Sequence, residues 1–135
     1  MRNVERLGQV FTPQCVVSQM LSLRKNYGSV LEPSSGEGIF LRNIPNCVGI
    51  EIDPKLCTLH DSINTDFFDY CVKNKFDTII GNPPYVRYND INQDTKQKLK
   101  SDLFDKRSNL YMFFIEKSIM HLNNGGELIF ITPRD

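Results

Sequence analysis

The sequence is short of the residues that hold metals. Its two histidines, His60 and His121, lie far apart without ligand-like company. Its four cysteines, Cys15, Cys47, Cys57 and Cys71, form no pair with the spacing of a zinc knuckle or a redox motif. No catalytic metal is expected, and the cysteines read as reduced, mostly buried thiols. Long apolar runs are also missing. Nothing reads as a signal peptide or approaches the length of a membrane span, so a cytoplasmic setting without a membrane partner is expected. There is no internal repeat, low-complexity tract or Ser/Gly linker. Net charge is absent too, with 16 basic residues against 16 acidic ones, which excludes the uniformly basic profile of many nucleic-acid-binding domains. What remains is an ordinary globular composition, 40% hydrophobic and 24% charged, in 135 residues that fit one small domain spanning 1–135.

The charge is unevenly spread. Residues 1–31 carry four basic groups and one acidic group, and residues 32–81 carry four basic and eight acidic. Residues 82–108 then hold six basic and four acidic groups, and the remainder is close to balanced. An acidic middle suits a cationic, hydroxyl-rich small molecule. The mildly basic flanks suit either phosphate contact or plain solvation.

Strand-like and helix-like segments alternate. Thr12-Pro13 reads as an N-cap followed by the first helical position, and Val16, Val17, Met20 and Leu21 recur as one buried face. Strands are expected at Ser29–Glu32, Cys47–Ile52, Ser62–Thr65, Thr78–Ile80 and Glu127–Ile131. The helix after Gly36 must be barely two turns long. A strongly apolar helix from Leu110 to Leu122 is expected to end at Gly125-Gly126. Pro83 to Asn109 is a long polar connection, with a short helix expected at Thr95–Phe104; loops of this length are commonly functional. The alternation predicts an α/β fold, a doubly wound and mostly parallel sheet with helices on both faces.

Chemistry concentrates where these strands end. Leu31-Glu32-Pro33-Ser34-Ser35-Gly36-Glu37-Gly38-Ile39-Phe40 is a glycine-bearing turn between the first strand and a helix, where backbone can approach a ligand closely. It is acidic and lacks lysine, so it makes a poor phosphate cradle and better suits a cationic ligand, such as the amino and sulfonium groups of S-adenosylmethionine. Glu51, at the end of the second strand, can accept hydrogen bonds from both hydroxyls of an adenosine ribose; a surface acid at a strand end is the plainer alternative. Asp53 reads as the N-cap before Pro54. Asp66-Phe67-Phe68 offers either an acceptor for an adenine amine beside a ring-packing Phe, or a turn aspartate before two core phenylalanines. The most specific segment is Asp77-Thr78-Ile79-Ile80-Gly81-Asn82-Pro83-Pro84-Tyr85. Proline lacks an N–H and pushes the preceding residue toward extended backbone, so this turn presents acceptors: the Asn82 side-chain carbonyl and the Pro83 main-chain carbonyl. With Tyr85 as a flat surface beside them, they form a receptor for a planar group bearing an NH2; a rigid Asn-Pro turn with a packed Tyr is the plainer alternative.

The ordered set resembles the gamma class of N6-adenine DNA methyltransferases, including the modification halves of fused restriction–modification enzymes. The matching segments are Val10-Phe11-Thr12-Pro13, the Glu32–Phe40 loop, Glu51, Asp66-Phe67, Asn82-Pro83-Pro84-Tyr85, Asn109-Leu110-Tyr111 with Phe113-Phe114, and Gly125-Gly126 through Pro133. They span roughly residues 8–134. The resemblance implies the class I S-adenosylmethionine-dependent methyltransferase fold. It implies a cofactor site built from Thr12, Glu32, Ser34, Gly36, Gly38, Glu51, Ile52, Asp66, Phe67 and Asn82. It assigns catalysis to Asn82, Pro83, Pro84 and Tyr85, acting on double-stranded DNA with a flipped adenine. Acceptors at Asn82 and Pro83 would localise the adenine amino lone pair, and transfer would need neither a metal nor a strong base.

One departure from the resemblance stands out. The family continues beyond the fifth strand with further strands, a second aromatic facing the flipped base and a target-recognition domain, whereas this sequence stops at Asp135. It therefore reads as a fragment lacking its C-terminal or specificity domain, with an open strand edge expected to favour self-association. Related Asn-Pro-Pro-Tyr enzymes methylate a glutamine side chain or a ribosomal RNA base, which is the alternative substrate reading. A cofactor-binding fragment without catalysis is the non-enzymatic one.

Overall fold

A computed structural model of the chain describes residues 12–58 and 60–134; Val10 and Phe11 lie outside the described residues. Helices α1 (Gln14–Ser22), α2 (Ile39–Asn43), α3 (Pro54–Cys57), α4 (Gln93–Lys96) and α5 (Leu110–Met120) accompany five strands. These are β1 (Val30–Glu32), β2 (Cys47–Glu51), β3 (Ser62–Asn64), β4 (Phe76–Gly81) and β5 (Leu122–Phe130). The sheet order is β3-β2-β1-β4-β5, and every pairing is parallel. The expected α/β fold with a parallel sheet is what the chain adopts.

Both faces of the sheet are covered, as a parallel sheet requires. Strand side chains alternate between the faces. Leu31, Ile50 and Ile79 join Phe67, Leu110 and Phe114 on one face. Val30 and Ile80 join Val17, Met20, Phe40 and Ile44 on the other. α1 thus buries the stripe expected of it, with Val17 and Met20 innermost. No helix among the described residues is long and apolar enough to cross a membrane.

Four local expectations are corrected. Pro13, not Thr12, is the N-cap of α1, with extended backbone (ψ 148°), so the helix starts one residue later than expected. The short helix of the long connection is α4, capped by Asn92, whose side chain accepts from Asp94 N at 2.8 Å; it shares only Thr95 and Lys96 with the expected Thr95–Phe104 segment. Gly125-Gly126 does not terminate a helix. Register jumps from Phe76↔Leu122 to Thr78↔Glu127, so residues 123–126 bulge out within β5, and Gly125 supplies the left-handed turn (φ 79°) that the bulge needs. The cysteines are not mostly buried: Cys15 and Cys71 are exposed and Cys47 and Cys57 are intermediate. Cys15 falls on the outward face of α1, beside exposed Gln14, Ser18 and Gln19.

The topology locates the site. From β1 the chain winds outward through β2 and β3, then returns to β4 on the other side of β1. Strand order reverses between β1 and β4, and loops leaving their C-terminal ends diverge and open a crevice. Glu32 closes β1 and Gly81 closes β4, so the Gly-bearing loop and the Asn82–Tyr85 turn leave the sheet side by side.

Candidate active site

The loop after β1 is held by bonds that leave its backbone facing the crevice. Gly36 (φ 57°) and Gly38 (φ 87°) both take the left-handed conformation. A side chain at Gly36 would meet only open space, whereas one at Gly38 would collide with the His60 ring. His60 buttresses the loop. Its Nε2 lies 2.6 Å from the Gly36 carbonyl, and its Nδ1 lies 2.8 Å from Ser62 Oγ, itself 2.6 Å from Ser35 Oγ. A carbonyl can only accept, so Nε2 carries the proton there. Gly38→Ala combines a strained backbone with a clash that displaces this histidine. It is expected to lower unfolding free energy by about 2–4 kcal/mol, measured by urea denaturation.

Glu51 is 1% exposed, so it is no surface acid. Its two oxygens accept from Gly36 N at 2.7 Å and Asp53 N at 2.9 Å, tying the end of β2 to the loop after β1. Asp53 is the expected N-cap of α3, accepting from Lys55 N at 2.9 Å. Asp66 is the turn aspartate of its plainer reading: it caps a 3₁₀ turn (Phe67–Asp69) by accepting from Phe68 N at 2.9 Å, and it also stands at the crevice. Phe67 stacks on Phe114 at 5.2 Å within the core, yet it contributes to the same wall as the partly buried Phe68.

The Asn82 Nδ2 donates to Thr12 Oγ1 at 3.3 Å, and the Asn82 carbonyl accepts from Ser34 Oγ at 3.3 Å. Pro83 is buried, Pro84 half-buried and Tyr85 exposed, with the Tyr85 ring 5.5 Å from that of Tyr111. Asn109, the cap of α5, also accepts from Val86 N at 2.9 Å and so fixes the exit of the turn.

Two adjoining spaces result. A small cavity of about 80 Å³ is lined by Thr12, Glu32, Ser34, Gly36, Asn82 and Pro84 among others. A larger cleft of about 470 Å³ runs between Glu51, Ile52, Asp66, Phe67, Phe68, Pro84 and the long connection. Ser34 and Pro84 belong to both. Of the expected site residues, Thr12, Glu32, Ser34, Gly36, Glu51, Ile52, Asp66, Phe67 and Asn82 converge here. Gly38 lies behind the loop against His60, and Tyr85 faces a separate cleft with Arg87, Tyr88 and Arg107. Sequence reading missed His60 and also Thr95, whose hydroxyl donates to Asp66 Oδ2 at 2.7 Å. Neither carries a local motif.

Burial pushes the Glu32 carboxyl from its ordinary 4.5 up to about 8; the Ser34 N–H works against the rise and the neighbouring Glu51 adds to it. The folded protein therefore holds a proton there that the unfolded chain releases. Stability should fall as pH rises from about 4.5 to 8, then level off. Glu32→Gln should flatten that slope in thermal melts taken across the range.

A family model described as Eco57I restriction-modification methylase matches residues 37–135. The chain belongs to that family. It is 40% identical over 139 residues to the Type II methyltransferase M.HincII of Haemophilus influenzae, a match covering 94% of this chain and 28% of that one. It is 34% identical over 148 residues to the Type II methyltransferase M.TthHB8I of Thermus thermophilus, covering 94% of this chain and 35% of that relative. The chain thus spans about a third or less of the length of these curated relatives. Among solved structures, a Listeria monocytogenes protein described as a class I S-adenosylmethionine-dependent methyltransferase superposes with a TM-score of 0.69 at 20% identity, covering 92% of this chain and 46% of that one. The fold of the chain is therefore the class I type.

Fold and family together imply S-adenosylmethionine as the cofactor. The donor set fits it. Gly36 leaves open space where a Cβ would intrude, the buried Glu32 stands in the small cavity, and Glu51 and Asp66 stand in the apolar-walled cleft. The carboxylates of Glu51 and Asp66 suit the hydroxyl- and amine-bearing parts of such a molecule, and Phe68 and Ile52 suit its ring.

Proposed function

We propose that this chain is the cofactor-binding and catalytic segment of a DNA (adenine-N6)-methyltransferase of a restriction–modification system. The observation that carries the reading is the position of Asn82-Pro83-Pro84-Tyr85. It leaves β4 at the switch point, with Asn82 and Pro84 lining the small cavity, Pro84 also lining the larger cleft where the carboxylates of Glu51 and Asp66 stand, and Tyr85 in the neighbouring cleft. In this reading Glu51 accepts from the ribose hydroxyls, Asp66 from the adenine amine of the cofactor, and Thr12, Glu32, Ser34 and Gly36 surround the methionine end. S-adenosylmethionine supplies an electrophilic methyl group when bound.

The chain's own residues then act on the target amine. Its lone pair is delocalised into the base. Acceptors at the Asn82 side chain and the Pro83 carbonyl draw on the N–H bonds and localise that lone pair for an in-line displacement. As the amine takes up the methyl group, the positive charge developing on its nitrogen would be stabilised by the same preorganised dipoles, and the surplus amine proton would then leave to water. Tyr85, exposed beside this turn, stacks on an adenine turned out of the duplex, which contributes roughly 1–3 kcal/mol. Residues 1–135 act as one domain, working with a target-recognition part. Self-association through β5, which pairs with β4 alone among the described strands, belongs to the same reading.

Calorimetric titration of S-adenosylmethionine into the chain tests the cofactor half. Saturable binding, weakened in Asp66→Ala, is expected; no binding by a folded chain overturns it. The substrate half is tested with the complete parent protein and plasmid DNA. N6-methyladenine in the digested DNA is expected, and methylated glutamine without methylated adenine overturns it.

A further inference from the structure

The long connection between the Asn82–Tyr85 turn and α5 is bound to the carboxylate at the far end of the cleft. Thr95 and Asp66 are both buried, at 7% and 8% exposure. The Thr95 hydroxyl donates to Asp66 Oδ2 at 2.7 Å, while Asp66 Oδ1 accepts from Phe68 N at 2.9 Å. Lys98, one turn further on, reaches the same Asp66 oxygen at 3.7 Å and Asp69 Oδ2 at 2.6 Å. Partners from two chain segments therefore grip the two ends of this carboxylate and set its plane. Asp90, Ile91, Asn92 and Thr95 line the same cleft as Glu51. Each carboxylate oxygen has two lone-pair directions, so one neutral donor apiece leaves acceptor capacity for a ligand.

We propose that Thr95 is a positioning residue for recognition of the cofactor's adenine amine, acting through Asp66, with the connection as one wall of the cofactor cleft. The proposal rests on the reading of the cleft given above. A threonine that only anchors α4 would be equally buried, but its loss would weaken all occupants of the cleft alike. A threonine that orients Asp66 matters only to a ligand that donates to Asp66. Its hydroxyl also holds the carboxylate in one rotamer before the ligand arrives, so the ordering cost is not borne on binding.

The test compares two ligands on the 135-residue chain by calorimetry: S-adenosylhomocysteine and its counterpart with a 6-oxo group in place of the 6-amino group. The wild-type chain should bind the amino form at least about tenfold more tightly. Thr95→Val should weaken the amino form about three- to tenfold and leave the 6-oxo form within about twofold, while Thr95→Ser should restore the preference. In an Asp66→Ala background, Thr95→Val should have no further effect on the amino form. Thr95→Ala is the second hydroxyl-free variant should valine impair folding, which circular dichroism reports. Equal loss for both ligands, no loss in a folded Thr95→Val chain, or no preference in the wild type overturns the role of Thr95. Failure of the wild type to bind either ligand overturns the reading of the cleft itself, a different result.

Discussion

Asn82→Ala in the complete parent protein should slow methyl transfer by about a hundredfold or more while leaving S-adenosylmethionine affinity within about twofold. The asymmetry follows from which part of the residue does what. The Asn82 main-chain carbonyl, which accepts from Ser34 Oγ and helps hold the cofactor loop, survives the substitution. The side-chain amide does not. Its nitrogen donates to Thr12 Oγ1, a bond that fixes how the amide plane is turned at the mouth of β4. Removing a preorganised acceptor costs little in the ground state, where water can take its place, and most in the transition state, where charge has developed on the amine. Single-turnover kinetics beside a cofactor titration separate the two effects. Asn82→Asp keeps an oxygen but loses the donor to Thr12, so it should retain part of the rate. Full turnover in Asn82→Ala would remove the residue from the mechanism.

The legibility of this site in the sequence depended on how local each signal is. Glu51 and Asn82-Pro83-Pro84-Tyr85 could be read because a strand end and the turn after it are contiguous, and a parallel sheet delivers such ends to one edge. Asp66 could be found but not interpreted, since a cap on one oxygen leaves the carboxylate able to serve either reading. The glycines of β5 were misassigned for a physical reason. Left-handed backbone ends a helix and opens a bulge by the same geometry, and only strand register tells them apart. α4 lies earlier than the expected Thr95–Phe104 segment because the Asn92 cap starts it at Gln93. His60 and Thr95 were invisible for a third reason. One reaches the loop after β1 from the approach to β3, 24 residues from Gly36. The other reaches Asp66 across 29 residues. A lone histidine and a threonine in a polar connection acquire their roles only when the sheet and the cleft are assembled.

Glu51→Ala should abolish measurable cofactor binding, weakening it by at least about a hundredfold. Two ribose hydroxyls donating to one carboxylate contribute roughly 1.5–3 kcal/mol each, and their joint loss corresponds to more than two decades in Kd. A second effect accompanies the first. The carboxylate also satisfies Gly36 N and Asp53 N, so its removal leaves the loop after β1 without its tie to β2 and lowers stability by about 2 kcal/mol. The two effects separate by temperature and by substitution. At a temperature where circular dichroism shows Glu51→Ala to be folded, weak binding reflects the lost ribose contact, and a saturating ligand should no longer raise Tm. Glu51→Gln keeps one acceptor oxygen and nearly the same volume. It should recover most of the stability and only part of the affinity, because an amide accepts where a carboxylate accepted but also turns an NH2 toward a backbone N–H or a hydroxyl. Should Glu51→Gln bind as tightly as the wild type, the buried acid at the end of β2 would be a strut for the loop and not the group that reads the ribose.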